Sequence, residues 1–136
     1  MKPRNLTRLD ILAAAREARL QESLRRQTAI LAQGEAQCGI LSAYQERLTE
    51  SWRDGTVLPA AQARRASQFA EGAAAAAAQI EAAQAMAGAQ MQQDAAALAQ
   101  LSTYRRNLAE RLRAASRAGA EAAERKAERD RPWRRL

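Results

Sequence analysis

The chain has 136 residues and a net charge of +7, and its hydrophobic residues reach 47% although aromatics make up only 4%. Most of that hydrophobic fraction is alanine, whose methyl group contributes little burial energy, so the composition disfavours an ordinary globular core and fits a long helix or coiled coil. The chain has no histidine, which excludes histidine metal sites and Ser/His/Asp triads, and without a phosphate loop we expect no enzyme activity, cofactor or metal.

The first predicted helix covers about residues 6–53. No proline interrupts it, because the three prolines lie at positions 3, 59 and 132. Apolar and small residues recur at intervals of three and four, which is typical of a coiled-coil seam. Gln27, Gly34 and Gln45 occupy weak positions of that seam. Its stronger members are Leu6, Ala13, Leu20, Leu24, Leu31, Cys38, Leu41, Leu48 and Trp52.

A turn is predicted at residues 54–58, followed by a second helix over about residues 59–129 and a basic tail over 130–136. Asp54-Gly55 is a turn signal, Thr56 is a candidate N-cap, and Pro59 suits a first helical turn. Gln90 and Asp94 interrupt the seam of this second helix. The seam itself comprises Phe69, Ala73, Ala76, Ile80, Ala83, Ala87, Leu98, Leu101, Leu108, Leu112 and Ala115.

These elements predict an all-α fold in a single domain: an antiparallel coiled-coil hairpin whose second helix is longer. Folding at the glycine turn places Leu31 opposite Ile80, and Gly34 and Gly39 opposite the alanines of residues 73–78. Small residues would then meet small residues. A solvated alanine-rich helix with no special partner is the alternative. The pattern leaves open whether the hairpin closes within one chain or within a dimer.

Charge is distributed unevenly along the chain. Residues 1–26 carry a net charge of +4, residues 27–104 carry −3, and residues 105–136 carry +6. A hairpin would bring both basic segments to one end, which would steer that end toward an acidic opening. Solvated helix faces are the simpler interpretation of individual arginines. Nucleic acid is the rival partner, but acidic residues alternate with the basic ones and no aromatic platform accompanies them, so we do not expect nucleic acid to bind.

The remaining sequence features indicate the cellular compartment of the protein. The chain has one cysteine, Cys38, which cannot form an intrachain disulfide, and no stretch resembles a secretory signal or a membrane span. Only Trp133 hints at a membrane surface, and a frayed tail explains it equally well. We therefore expect a cytoplasmic protein without direct membrane insertion.

Two stretches carry a resemblance to a known family. The segment "ILSAYQERLTESWRDGTVLPAAQARRASQFAEGAAAAAAQIEAAQ", residues 40–84, has an aromatic-bearing helix end, a short glycine turn and an Arg-x-x-x-Phe entry at Arg65 and Phe69. "LAERLRAASRAGAEAAERKAER" continues it as a charged return arm. The organisation resembles the FliJ/YscO family, the central stalk proteins of flagellar and virulence type III export machines. The chain departs from the family in its basic tail, "ERDRPWRRL", and in the alanines that follow Phe69.

The resemblance implies a stalk similar to the gamma subunit of rotary ATPases. Its terminal end would enter a hexameric export ATPase, and the part after the turn would contact the cytoplasmic domain of the export gate, with export chaperones as a further partner class. The protein would be peripheral to the inner-membrane export apparatus. The gate-facing residues would be Phe69, Trp52 and Tyr44, for which packing within the hairpin is the alternative. The ATPase-facing residues would be Leu6, Leu9, Leu12, Arg111, Arg113, Arg117 and Arg125.

Two other functions stay open from sequence alone. The first is a free-standing coiled-coil adaptor. The second is a basic helical protein that binds nucleic acid, for which the isoelectric point of about 10.9 is the usual signature.

Overall fold

The computed structural model describes residues 2–53 and 59–132, and these form two long α-helices. Helix α1 spans Pro3–Arg53 and helix α2 spans Ala60–Arg129, with lengths of 51 and 70 residues. The predicted fold class, an all-α antiparallel coiled-coil hairpin with a longer second helix, is confirmed. The predicted turn at 54–58 and Trp133 lie outside the described residues.

The helix ends follow from proline placement. Pro3 is the first residue of α1, a position where the missing N–H costs nothing, and the Lys2 carbonyl accepts from the backbone N–H groups of Asn5 and Leu6. The Pro59 carbonyl likewise accepts from the backbone N–H groups of Gln62 and Ala63, in the first turn of α2. Helix α1 therefore begins three residues before the predicted start at residue 6.

Burial follows a heptad repeat along both helices. The residues classed as buried in α1 are Leu6, Ala13 and Gly34, and whole multiples of seven residues separate them. The buried residues of α2 are also separated by multiples of seven. This spacing keeps one face of each helix against its partner. The buried residues of α2 are Ala73, Ala87, Asp94 and Leu108.

The chain divides into two compact units. The central unit is Glu22–Asp94, and the terminal unit combines the described residues of Met1–Gln21 and Ala95–Leu136. Within the central unit, Ser23 Oγ donates to Asp94 Oδ2 at 2.6 Å, and Gln84 Nε2 donates to the Leu31 carbonyl at 3.2 Å. Because later residues of α1 meet earlier residues of α2, the two helices run antiparallel here.

Near Leu31, the hydrogen bond between the helices lies about one helical turn from the predicted pairing. Leu31 was expected opposite Ile80, but its carbonyl binds Gln84, four residues further along α2. Asp94 anchors this register, because it is only 4% exposed and accepts hydrogen bonds from Ser23 and from Gln90 Nε2 at 2.9 Å. A buried carboxylate without such donors would be costly.

The expected meeting of small residues with the 73–78 alanines is wrong for both glycines named. A Cβ added to Gly34 would lie 2.7–2.9 Å from side-chain atoms of Gln84, and one added to Gly39 would meet nothing within 4 Å. Gly34 therefore makes room for a glutamine side chain that reaches across to α1. The physical reason at Gly39 is its place on the exposed face of α1, where no side chain of α2 reaches it.

The two glycines give a matched pair of substitutions. We expect Gly39→Ala to raise the free energy of unfolding by about 1 kcal/mol, because alanine favours the helix and the added methyl meets open space. Gly34→Ala should raise the free energy of unfolding by clearly less, because its methyl group displaces the Gln84 side chain and breaks its hydrogen bond to the Leu31 carbonyl. Urea denaturation measures both. In a Gln84→Ala background Gly34→Ala should recover the full gain, and equal gains in the wild-type background would contradict the assignment.

Among the described residues, neither helix contains an apolar stretch sufficient to cross a lipid bilayer.

Candidate interaction surface on the terminal unit

The terminal unit carries the positive charge of the protein. Its two sequence segments, Met1–Gln21 and Ala95–Leu136, hold sixteen basic and seven acidic residues, a net charge of +9. The central unit holds six basic and eight acidic residues, a net charge of −2. The charge asymmetry predicted from sequence therefore coincides with the division into units.

A small apolar core holds the terminal unit together. Leu6 and Leu108 are each 2% exposed, and Ala13 is 5% exposed. Burial of a leucine side chain contributes roughly 2 kcal/mol, so two leucines account for much of the packing energy of such a thin layer. Leu6 is one of the residues predicted to face a partner, and its side chain is buried within this core.

Arg105 bridges two carboxylates on the opposite helix. Its Nε donates to Asp10 Oδ1 at 3.0 Å, and its Nη1 donates to Glu17 Oε2 at 2.6 Å. The hydrogen bonds to Asp10 and then to Glu17 raise the pKa of the Arg105 guanidinium above its ordinary value. All three side chains are about one-third exposed. The forked contact fixes which residues of α1 and α2 face each other in this unit.

A shallow groove of about 350 Å³ lies on the surface of the same unit. Leu9, Leu12 and Arg16 line it from α1, and Leu101 and Tyr104 line it from α2. Leu12 is 67% exposed and Tyr104 is 43% exposed. Two of the three leucines predicted to face a partner, Leu9 and Leu12, thus share an apolar groove on a positively charged unit.

Helix α2 continues past this core as an exposed segment. Residues 116–132 are all exposed. Residues 109–119, here called the arginine arm, hold three arginines against one glutamate, whereas residues 120–132 hold four basic and four acidic side chains. Within residues 109–132, the arginine arm therefore carries all of the net positive charge. Its members Arg111, Arg113 and Arg117 are all exposed.

The fourth predicted arginine, Arg125, differs from the other three. Its Nη2 lies 3.7 Å from Glu121 Oε2, four residues earlier on the same helix. Both side chains are about 70% exposed, so this is a solvated surface pair of small energetic weight. Arg125 offers a partner less net charge than the arginine arm does.

The aromatic residues predicted to face the export gate belong to the central unit. The rings of Tyr44 and Phe69 lie 4.5 Å apart between centroids, tilted by 39°. Each residue remains 44% exposed, and Trp52 is 48% exposed. Tyr44 and Phe69 thus pack within the hairpin and still present about half of their surface to solvent.

Sequence reasoning missed the polar residues that hold the helices in register: Asp10, Glu17, Gln84 and Arg105. Charged and amide side chains usually face water, so such residues are not expected in the seam. One signal could have found them, because Asp10 and Glu17 are separated by one heptad, and Arg105 falls between the seam residues Leu101 and Leu108.

Comparison with protein-family models, with curated proteins and with solved structures finds no match for this chain.

Proposed function

We propose that the protein is the central stalk of a type III export apparatus, which binds the hexameric export ATPase and couples it to the export gate. The observation that carries the proposal is the terminal unit: an apolar groove and an arginine arm lie on one unit of net charge +9. A central channel lined with acidic groups would attract such a unit. The resemblance to the FliJ/YscO family supplies the identity of the partner.

Coupling would follow from unequal contacts. A two-helix stalk has a single arginine arm, whereas a hexameric ring offers six equivalent subunits. The stalk can therefore contact only some subunits strongly at one time. A ligand with different affinities for two conformations shifts their populations, so the stalk would bias the subunits it touches. In this role the protein acts as a coupler without catalytic groups of its own.

The gate would bind the central unit. Tyr44, Phe69 and Trp52 each expose between 44% and 48% of their surface. Exposed aromatic rings are common anchors of protein interfaces, because they bury a large area at low entropic cost. The tilted contact between the rings of Tyr44 and Phe69 would hold both rings in place for binding to the gate.

Leu12 and Ile11 give a matched test of the ATPase contact. Both are exposed, at 67% and 63%, but only Leu12 lines the apolar groove. We expect Leu12→Gln to weaken binding to the purified export ATPase about 10-fold, because one apolar anchor is lost. Ile11→Gln should bind as the wild type does. Co-purification and titration measure both, and equal behaviour of the two variants would place the contact elsewhere.

A further inference from the structure

A second surface lies on the central unit; it does not rest on the proposed function, with which it shares only Tyr44. A groove of about 610 Å³ runs between the helices, with Ile30 and Ile40 on one wall and Ala76 and Ala83 on the other. Ile30 is 40% exposed and Ile40 is 69% exposed. None of the described residues that line it is charged. An uncharged groove lined by aliphatic and glutamine side chains, on a highly charged protein, is a candidate for burial against another helix.

Four of the six groove-lining residues of α1 have a palindromic order, and Gly34 and Leu41 are the other two. Ile30, Gln33, Gln37 and Ile40 follow one another at intervals of three, four and three residues. Read in either direction, both the spacing and the residue types are the same. A stripe with this property is complementary to its own antiparallel copy: Ile30 meets Ile40 of the second copy, and Gln33 meets its Gln37.

Residues that flank the stripe continue the pairing. Four residues before Ile30 lies Arg26, and four residues after Ile40 lies Tyr44. An antiparallel copy would bring the guanidinium of Arg26 over the ring of Tyr44 of the second copy, which is an attractive cation–π pairing. Tyr44 is 44% exposed, so one side of its ring remains accessible.

Charge favours a second copy as the occupant. The terminal unit would repel its own copy because of its +9 charge, but the uncharged groove of the central unit meets no such repulsion.

We propose that the protein forms a twofold symmetric dimer through the Ile30–Gln33–Gln37–Ile40 stripe. Two antiparallel hairpins then pack as a local four-helix bundle, in which the same patch of each copy contacts the other. The glutamines pair across the axis and fix the register, and Ala76 and Ala83 allow the helices to approach closely.

Sedimentation equilibrium at high micromolar concentration tests the dimer. The wild type should give twice the chain mass of 14.9 kDa. The double variant Ile30→Gln with Ile40→Gln should raise the dissociation constant at least about 10-fold, because four isoleucines per dimer lose their burial. Ile11→Gln with Leu12→Gln is the matched control on the terminal unit and should leave the mass unchanged. Circular dichroism should show equal helix content in all three proteins.

Disulfide cross-linking tests the orientation. In a Cys38→Ser background, a mixture of Arg26→Cys and Tyr44→Cys chains should cross-link on oxidation. Neither variant alone should do so, because equivalent residues lie about 27 Å apart along the helix in the antiparallel pairing. A single-chain mass for the wild type would overturn the proposal and leave the groove to a helix of another protein. A dimer that survives the Ile30/Ile40 double variant, or that cross-links through identical positions, would overturn it equally.

Discussion

Reversing the charge of the arginine arm will weaken binding to the export ATPase by at least about 100-fold, because three attractive contacts become repulsive. The variant carries Arg111→Glu, Arg113→Glu and Arg117→Glu, all at exposed positions. Glutamate is as good a helix former as arginine, so the helix itself should be retained. Fluorescence anisotropy with the purified ATPase measures the loss.

The control for the arginine arm changes the same amount of charge elsewhere. Arg25, Arg47 and Arg64 are exposed residues of the central unit, and their replacement by glutamate lowers the net charge equally. This control should keep most of the affinity of the wild type. Equal losses in the two triple variants would mean that binding follows total charge, and the arginine arm would then have no special role.

Replacing Leu108 with alanine will lower the free energy of unfolding by about 3 kcal/mol, the usual cost of emptying a buried leucine site. Leu108 is 2% exposed, and it belongs to the apolar core of the terminal unit together with Leu6 and Ala13. Chemical denaturation followed by circular dichroism measures the loss.

Leu112 is the matched control for Leu108. It occupies a seam position four residues later on the same helix but is only partly buried. Leu112→Ala removes the same atoms with the same change in helix propensity and should cost less than about 1 kcal/mol. A loss as large as that of Leu108→Ala would mean that the core extends further along α2 than the burial pattern indicates.

The fold could be predicted from sequence because apolar spacing and proline placement are local signals. The heptad recurrence of Leu6 and Ala13 is visible in the sequence, and so is the absence of proline from the interior of either helix. The helices therefore required no knowledge of distant contacts. The division of charge between the segments is also a property of the sequence, and the two units preserve it.

The register and the polar part of the seam could not be predicted in this way. Register depends on which side chains satisfy each other across the helices, and Asp94 and Gln84 do so through bonds to Ser23 and Leu31. Those partners are 71 and 53 residues away in sequence. Arg105 was counted among the basic residues, although its charge is paired with the carboxylates of Asp10 and Glu17 within the unit.

The most direct measurement of the central claim titrates the labelled protein with purified hexameric export ATPase, and in parallel with duplex DNA, at about 150 mM salt. Our account predicts saturable binding to the ATPase at one terminal unit per hexamer, and no comparable affinity for DNA. Binding to DNA with none to the ATPase would contradict the stalk assignment and favour a basic nucleic-acid-binding helical protein.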